Sequence, residues 1–150
     1  MVPNKMNLYF HEMTLQTGDG IQVYNITQSL NEEVIKSGIK DGIIHIMSRH
    51  TTTALTINEY EPRLLEDLRL FFKEIAPPSK PYQHNDIHLR DCPPNEPKNA
   101  HSHILAMLLS SHEAVPLVNG RLSLGRWQSV LLFELDGPRQ RQVSVQIMGQ

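Results

Sequence analysis

Cysteine is almost missing: Cys92 stands alone in 150 residues, so no intrachain disulfide can form and the disulfide framework of a small secreted protein is excluded. A reduced, cytoplasmic setting is the expectation. Long apolar runs are missing too, since no stretch approaches the roughly 20 apolar residues of a membrane span. The N-terminal Met-Val-Pro-Asn-Lys-Met-Asn leads into no apolar signal core, so neither targeting nor a membrane partner is expected. Charge of one sign is not in excess either: 14 Lys and Arg stand against 16 Asp and Glu, for a net charge of -2. With its cations scattered singly, the chain offers no basic face to a phosphate backbone, and nucleic acid is not an expected partner. A chain of this length with 39% apolar residues suits one globular domain spanning 1–150.

Along the chain, residues 8–17 mix apolar and polar side chains, Gly18-Asp19-Gly20 is turn chemistry, and residues 21–26 alternate at period two. That pattern predicts an opening hairpin. Thr27 is placed to cap a short helix running to about Lys36, which Gly38 would end. Gly42–Ser48 reads as a central strand interrupted by His45, expected to be a satisfied core or edge histidine. Leu64, Leu65, Leu68, Phe71, Phe72 and Ile75 form a broad stripe at helical spacing, with Pro62 suited to the first turn and Pro77-Pro78 as the stop. Residues 76–98, with six prolines, read as an irregular excursion. Asn99 is placed to cap a helix carrying His101 and His103, whose spacing points them about 200° apart. His112 is expected to interact with the end of that helix. Asn119-Gly120 signals a hairpin, Pro116 an edge or bulge, and the alternation of Val143, Val145 and Ile147 a half-buried closing strand. The order of elements predicts an α+β fold, helices packed on a largely antiparallel sheet or sandwich.

Chemistry concentrates in residues 48–59. One imidazole (His50), four threonines including Thr51 and Thr52, the amide of Asn58 and the carboxylate of Glu59 lie between an apolar run and a helix. Polar groups held beside a buried strand suit a small-molecule site, although Thr is also simply favoured in strands. A second histidine group lies in Tyr82-Gln83-His84-Asn85-Asp86-Ile87-His88. Asn85 stands where a zinc-protease helix requires Glu, which excludes that reading.

His50-Thr-Thr-Thr-Ala-Leu-Thr-Ile-Asn-Glu59, the Tyr-Gln-His segment, Ala-His-Ser-His-Ile from Ala100, the run Asn119-Gly-Arg-Leu-Ser-Leu-Gly-Arg-Trp-Gln-Ser129 and Asp136-Gly-Pro-Arg139 resemble the YjbQ family. These proteins are often described as secondary thiamine-phosphate synthases. The resemblance runs through nearly the whole chain, and its Leu-Gly-x-Trp-Gln signature at Leu124–Gln128 is specific. It implies a compact YjbQ-like sandwich assembling as a homotrimer, with His50, His84 and His103 as ligands of a divalent metal, zinc before magnesium or manganese. Asn58 and Glu59 would lie alongside as catalytic groups, and Arg49, Thr51, Thr52, Arg126, Trp127, Gln128 and Arg139 would contact a phosphorylated substrate. The sequence departs at Arg126, where the family commonly has Thr; this adds a cation for a phosphate or a group to stack on a neighbour. The motif does not require His88 or His101.

Three neutral imidazoles on tetrahedral zinc leave one position open, the arrangement of a catalytic site. The implied activity joins a hydroxymethylpyrimidine diphosphate to a thiazole phosphate. The same groups would serve a metal-dependent hydrolase or lyase on another small substrate, or a non-catalytic metal-binding or ligand-binding protein. No Gly-rich phosphate cradle or Asp-rich magnesium motif favours the first of these.

Overall fold

A computed structural model describes residues 5–150. Residues 1–4, part of the N-terminal stretch read above, lie outside the described residues. The alternating segments form strands β1 (Asn7–Gln16), β2 (Gly20–Asn25), β3 (Gly42–Ser48), β4 (Thr53–Asn58), β5 (His112–Val118), β6 (Arg121–Leu122), β7 (Ser129–Gly137) and β8 (Gln140–Gly149). The segments of helical period form α1 (Thr27–Ser37), α2 (Pro62–Ile75) and α3 (Ala100–Leu108). Every strand pair is antiparallel. One sheet has five strands in the order β1-β8-β3-β5-β6 and the other three in the order β2-β7-β4. The α+β sandwich is thus the observed fold.

The predicted opening hairpin does not form. β1 pairs with β8 and β2 with β7, in different sheets. Alternation reports that a segment is a strand and says nothing of its partner. At the corner, the Thr17 amide donates to the Arg139 carbonyl at 2.9 Å, so the chain leaves one sheet before it enters the other.

Strand β7 is the middle layer. Val130 and Leu132 face the five-stranded sheet and join Ile44, Ile46, Val143, Val145 and Ile147 in one core, together with Leu30 and Val34 of α1. Leu131, Phe133 and Leu135 face the other way, into a second core with Leu65 and Phe72 of α2 and Leu105 of α3. A strand covered on both faces reads as a continuous apolar run, which residues 130–133 are.

The ends of the helices correct two predicted caps. Asn25, not Thr27, accepts the Thr27 amide, and the Thr27 hydroxyl accepts from the Val130 amide at 2.9 Å, tying α1 to β7. Asn99 makes no side-chain cap on α3; its amide group donates to Asp136 instead. Glu61 caps α2 by accepting the Arg63 and Leu64 amides, with Pro62 opening the helix. His112 also departs from expectation: it starts β5, and its ring packs on His45, 5.4 Å between centroids, across the outer face of the five-stranded sheet. Asn119 and Gly120 take φ of 52° and 72°, the left-handed pair that a two-residue hairpin turn requires. Among the described residues, no helix is long and apolar enough to cross a membrane.

Candidate functional site

The β3–β4 turn, the start of α3 and the β7–β8 turn meet at one end of the sandwich around a cavity of about 570 Å³. The turn supplies Arg49, His50, Thr51 and Thr52; α3 and its lead-in supply Asn99 and His103; and the β7–β8 corner supplies Asp136, Arg139 and Arg141. That volume falls in the range of small-molecule sites. Of the residues expected to contact a phosphorylated substrate, Arg49, Thr51, Thr52 and Arg139 are here, together with two of the three expected metal ligands, His50 and His103.

His50 is tethered. Its Nε2 accepts the Gln142 amide at 2.8 Å, which assigns the proton of the neutral ring to Nδ1. Burial lowers its pKa, and the nearby Arg141 and Arg49 push it further down against the opposing pull of Glu134. The third expected ligand, His84, lies in a single 3₁₀ turn, Gln83–Asn85, in the proline-rich excursion. Its ring meets that of His103 edge to face, 4.8 Å between centroids. Burial, then the neighbouring His84, lowers the pKa of His103, so it too is held toward the neutral form. The expected trio is therefore a touching pair plus a tethered third ring, and among the described residues no group of three or more His, Cys, Asp or Glu converges on a metal position. His101 does not line the cavity, and its Nδ1 is buried without a hydrogen-bond partner. His88 lines a separate cavity with Arg90, Cys92 and Lys98.

Asn85 has a role that the sequence did not suggest. Its side-chain oxygen accepts the Ala100 amide at 3.1 Å, capping α3 from outside the helix and joining the loop that carries His84 to the helix that carries His103. Asn85→Ala is expected to cost about 1 kcal/mol, the usual worth of a cap, and to loosen the His84–His103 pair. Urea denaturation with histidine chemical shifts would check both; an unchanged midpoint would show that the bond contributes nothing.

The cavity-lining Arg141 belongs to a buried ion pair that sequence reasoning missed. Glu134, fully buried, takes a bidentate bond from Arg141, whose Nε and Nη2 each lie 2.6 Å from a carboxylate oxygen. The Asp136 amide donates to the same carboxylate at 2.8 Å, and the Thr17 hydroxyl lies 2.7 Å from it. Burial raises the Glu134 pKa, and the bonds from Arg141, Thr17 and the Asp136 amide more than offset that, leaving it below the ordinary carboxylate value. Asp136 itself is held by Asn99 Nδ2 at 2.7 Å and Arg139 Nη2 at 2.8 Å, both on Oδ2. A signal for the ion pair existed. Arg141 shares the inward parity of Val143, Val145 and Ile147, and Glu134 ends an apolar run, so each is a charge at a core position.

Asn58, Glu59, Arg126, Trp127 and Gln128 are not brought to this cavity. Asn58 pairs with Ser129 at one end of the three-stranded sheet, while Thr53 pairs with Glu134 at the other, a separation of roughly 17 Å along the strand. Trp127 is 64% exposed, Arg126 stacks on its ring, and Gln128 accepts the Gly125 amide. Glu59 donates its amide to Asn58.

A two-sheet antiparallel sandwich backed by helices, with arginines and histidines gathered around a cavity at one end, defines an α+β protein with a candidate site there. The chain belongs to the YjbQ-like family, UPF0047: the family model matches residues 11–150. A UPF0047 protein of Methanothermobacter thermautotrophicus is 38% identical over 96% of this chain and 94% of its own length. One from Archaeoglobus fulgidus is 38% identical over 91% and 99%. Among solved structures, a YbjQ-like protein of unknown function from Sulfolobus solfataricus superposes with a TM-score of 0.86 at 37% identity, covering 97% of this chain and all of that one. A hypothetical protein from Aeropyrum pernix gives 0.84 at 35% identity, covering 95% and 99%.

Proposed function

We propose that this protein is a small-molecule enzyme acting on a phosphorylated substrate in the cavity between the β3–β4 turn, α3 and the β7–β8 corner. The observation that carries the reading is the convergence of Arg49, Arg139 and Arg141 on one cavity that also holds His50, His103 and Asp136. Cations placed where negative charge develops supply much of the catalysis in phosphate chemistry. The reaction we assign is the one that the resemblance implies. The thiazole nitrogen lends its electron pair to the pyrimidine methylene carbon, the carbon–oxygen bond breaks, and its electrons leave with pyrophosphate. The arginines would draw that leaving group into the cavity, and neutral His103 would donate a hydrogen bond to it.

A divalent ion, zinc first, fits the donor chemistry of His84 and His103; His50, whose Nε2 accepts from Gln142 and whose Nδ1 carries the proton, would join them only if that bond were broken. Such an ion would supply Lewis-acid stabilisation of departing negative charge. Homotrimer formation belongs to the same proposal. Its support is the outer face of the five-stranded sheet, where Leu8, Phe10, Ile43 and Met47 are exposed, more apolar surface than a solvated face needs.

The test is pyrophosphate release by tag-free protein, with metal content and mass in solution measured on the same preparation. Release that requires both substrates, falling about a hundredfold to a thousandfold in His103→Ala, is the expected result. Release without the thiazole phosphate would favour hydrolysis, a reading supported by His103 and Asp136 lining the same cavity. No release and no binding of either substrate would overturn both.

A further inference from the structure

Three arginines line the cavity, and they are not equivalent. The side chains of Arg49 and Arg139 are 51% and 40% exposed and hold Glu12 and Asp136 from the rim. That of Arg141 is 4% exposed. A guanidinium group has five N–H donors in a fixed plane. In Arg141, Nε and Nη2 give one each to Glu134, and Nη2 gives its other to the Thr52 hydroxyl at 2.9 Å. Both Nη1 donors are left, with no hydrogen-bond partner among the described residues, on a side chain that lines the cavity. Thr52 is 5% exposed, and because its oxygen accepts from Arg141, its hydroxyl proton remains to be donated.

We infer that Arg141 Nη1 and the Thr52 hydroxyl together form the oxyanion-binding point of this cavity, taking a phosphoryl group, and that Glu134 is the residue that positions them. The inference rests on the cavity being the substrate site and deepens that reading by naming its anchor. Glu134 fixes the guanidinium plane by accepting along one edge, which leaves Nη1 uncommitted on a side chain that lines the cavity. It is itself fixed, since its two oxygens are met by Arg141, Thr17 and the Asp136 amide. A buried, pre-oriented guanidinium binds an oxyanion more strongly than an exposed arginine does, because it loses no rotamer freedom and works in a medium that screens it less. Arg49 and Arg139 would then steer the anion and contribute little to holding it.

The probe is inorganic phosphate, titrated into the full chain and followed by calorimetry and by the side-chain ¹⁵N resonances of arginine. Arg141→Lys, which keeps the charge and loses the fork, is expected to weaken phosphate binding about tenfold or more, the scale of lost charge-assisted hydrogen bonds. Thr52→Val, which leaves the ion pair intact, should weaken it about threefold to tenfold. Arg49→Gln and Arg139→Gln should each stay within about threefold. Glu134→Gln tests positioning: the Arg141 ¹⁵N resonances, distinct in the wild type and shifted by phosphate, should merge through rotation of the freed guanidinium and lose most of their shift. If Arg141→Lys fails to fold, Thr52→Val and the wild-type ¹⁵N shifts decide. Wild-type binding that survives in both Arg141→Lys and Thr52→Val overturns the anchor and leaves the cavity as a substrate site. Wild type that binds the phosphorylated substrates and not phosphate also overturns the anchor alone. Wild type that binds none of them overturns both readings.

Discussion

Glu134→Ala is expected to lower the stability of the folded chain by about 3–5 kcal/mol, the cost of leaving a buried charge without its partner. The carboxylate is fully buried and holds four bonds: two from Arg141, one from Thr17 and one from the Asp136 amide. These groups come from Thr17 just after β1, from Asp136 near the end of β7 and from β8, so the pair fastens the two sheets together beside the cavity. Removal of the carboxylate leaves the Arg141 guanidinium, 4% exposed, without the partner that holds two of its nitrogens. Urea denaturation at neutral pH measures the loss, and a change below about 1 kcal/mol would show that water or a neighbour substitutes for the carboxylate. Replacement of both partners by apolar residues, Glu134→Leu with Arg141→Met, should recover most of what the single variant loses, since the desolvation cost of both charges is then removed.

The same pair fixes the direction of a pH dependence. The folded-state pKa of Glu134 lies below its ordinary value of 4.5, so as pH falls the unfolded chain takes up the proton first. The contribution of the ion pair is complete above the unfolded-state value and is lost as pH falls through the folded-state one. Glu33, held below its ordinary value by Lys36 and Tyr9 against the opposing effect of burial, acts in the same sense. Wild type should therefore lose stability on acidification below about pH 4.5 more steeply than Glu134→Gln does. Parallel curves would mean that Glu134 does not carry the dependence.

Much of the sandwich was legible because burial on one face leaves a period-two trace. β8 shows it in Val143, Val145 and Ile147, and the Asn119-Gly120 turn was explicit. Strand partnership was not legible. Nothing in residues 8–26 says that two successive strands enter different sheets, because the bond that turns the corner, Thr17 to Arg139, spans 122 residues. The cavity was half legible for the same reason. His50, Thr51, Thr52 and Arg49 announce themselves as a polar cluster, and His103 through its helix. Arg141, Glu134 and Asp136 look like strand and turn residues until the fold joins them. Asp136 stands beside Gly137, which ends β7, yet its carboxylate is committed to Asn99 and Arg139. Conversely, Asn58 and Glu59 are adjacent to the cluster in sequence and remote from it in space, since β4 carries them to the far end of the sheet.

Phe133→Ala carries the second large effect, expected at about 3–5 kcal/mol. The ring is 2% exposed and meets Phe72 edge to face at 5.8 Å. It fills the layer between β7 and the two helices, in the same cluster as Leu105 and Ala106 of α3. Its loss leaves a cavity that β7 cannot close, because that strand is paired on both sides with β2 and β4. The helices are the elements free to move. α3 is a helix of nine residues, too short to persist without its packed face, and it carries His103. A two-part outcome follows: a lower midpoint in urea, and a His103 resonance that loses its contact with His84 while His50, held by the Gln142 amide on β8, keeps its own environment. If both histidines respond equally, α3 and the β3–β4 turn move as one body, and the cavity is more rigid than its division among separate elements implies. If neither responds and the midpoint holds, the core beneath α3 repacks around the smaller side chain, and the helix owes its position to Ser102, whose hydroxyl donates to the Leu135 carbonyl at 2.6 Å.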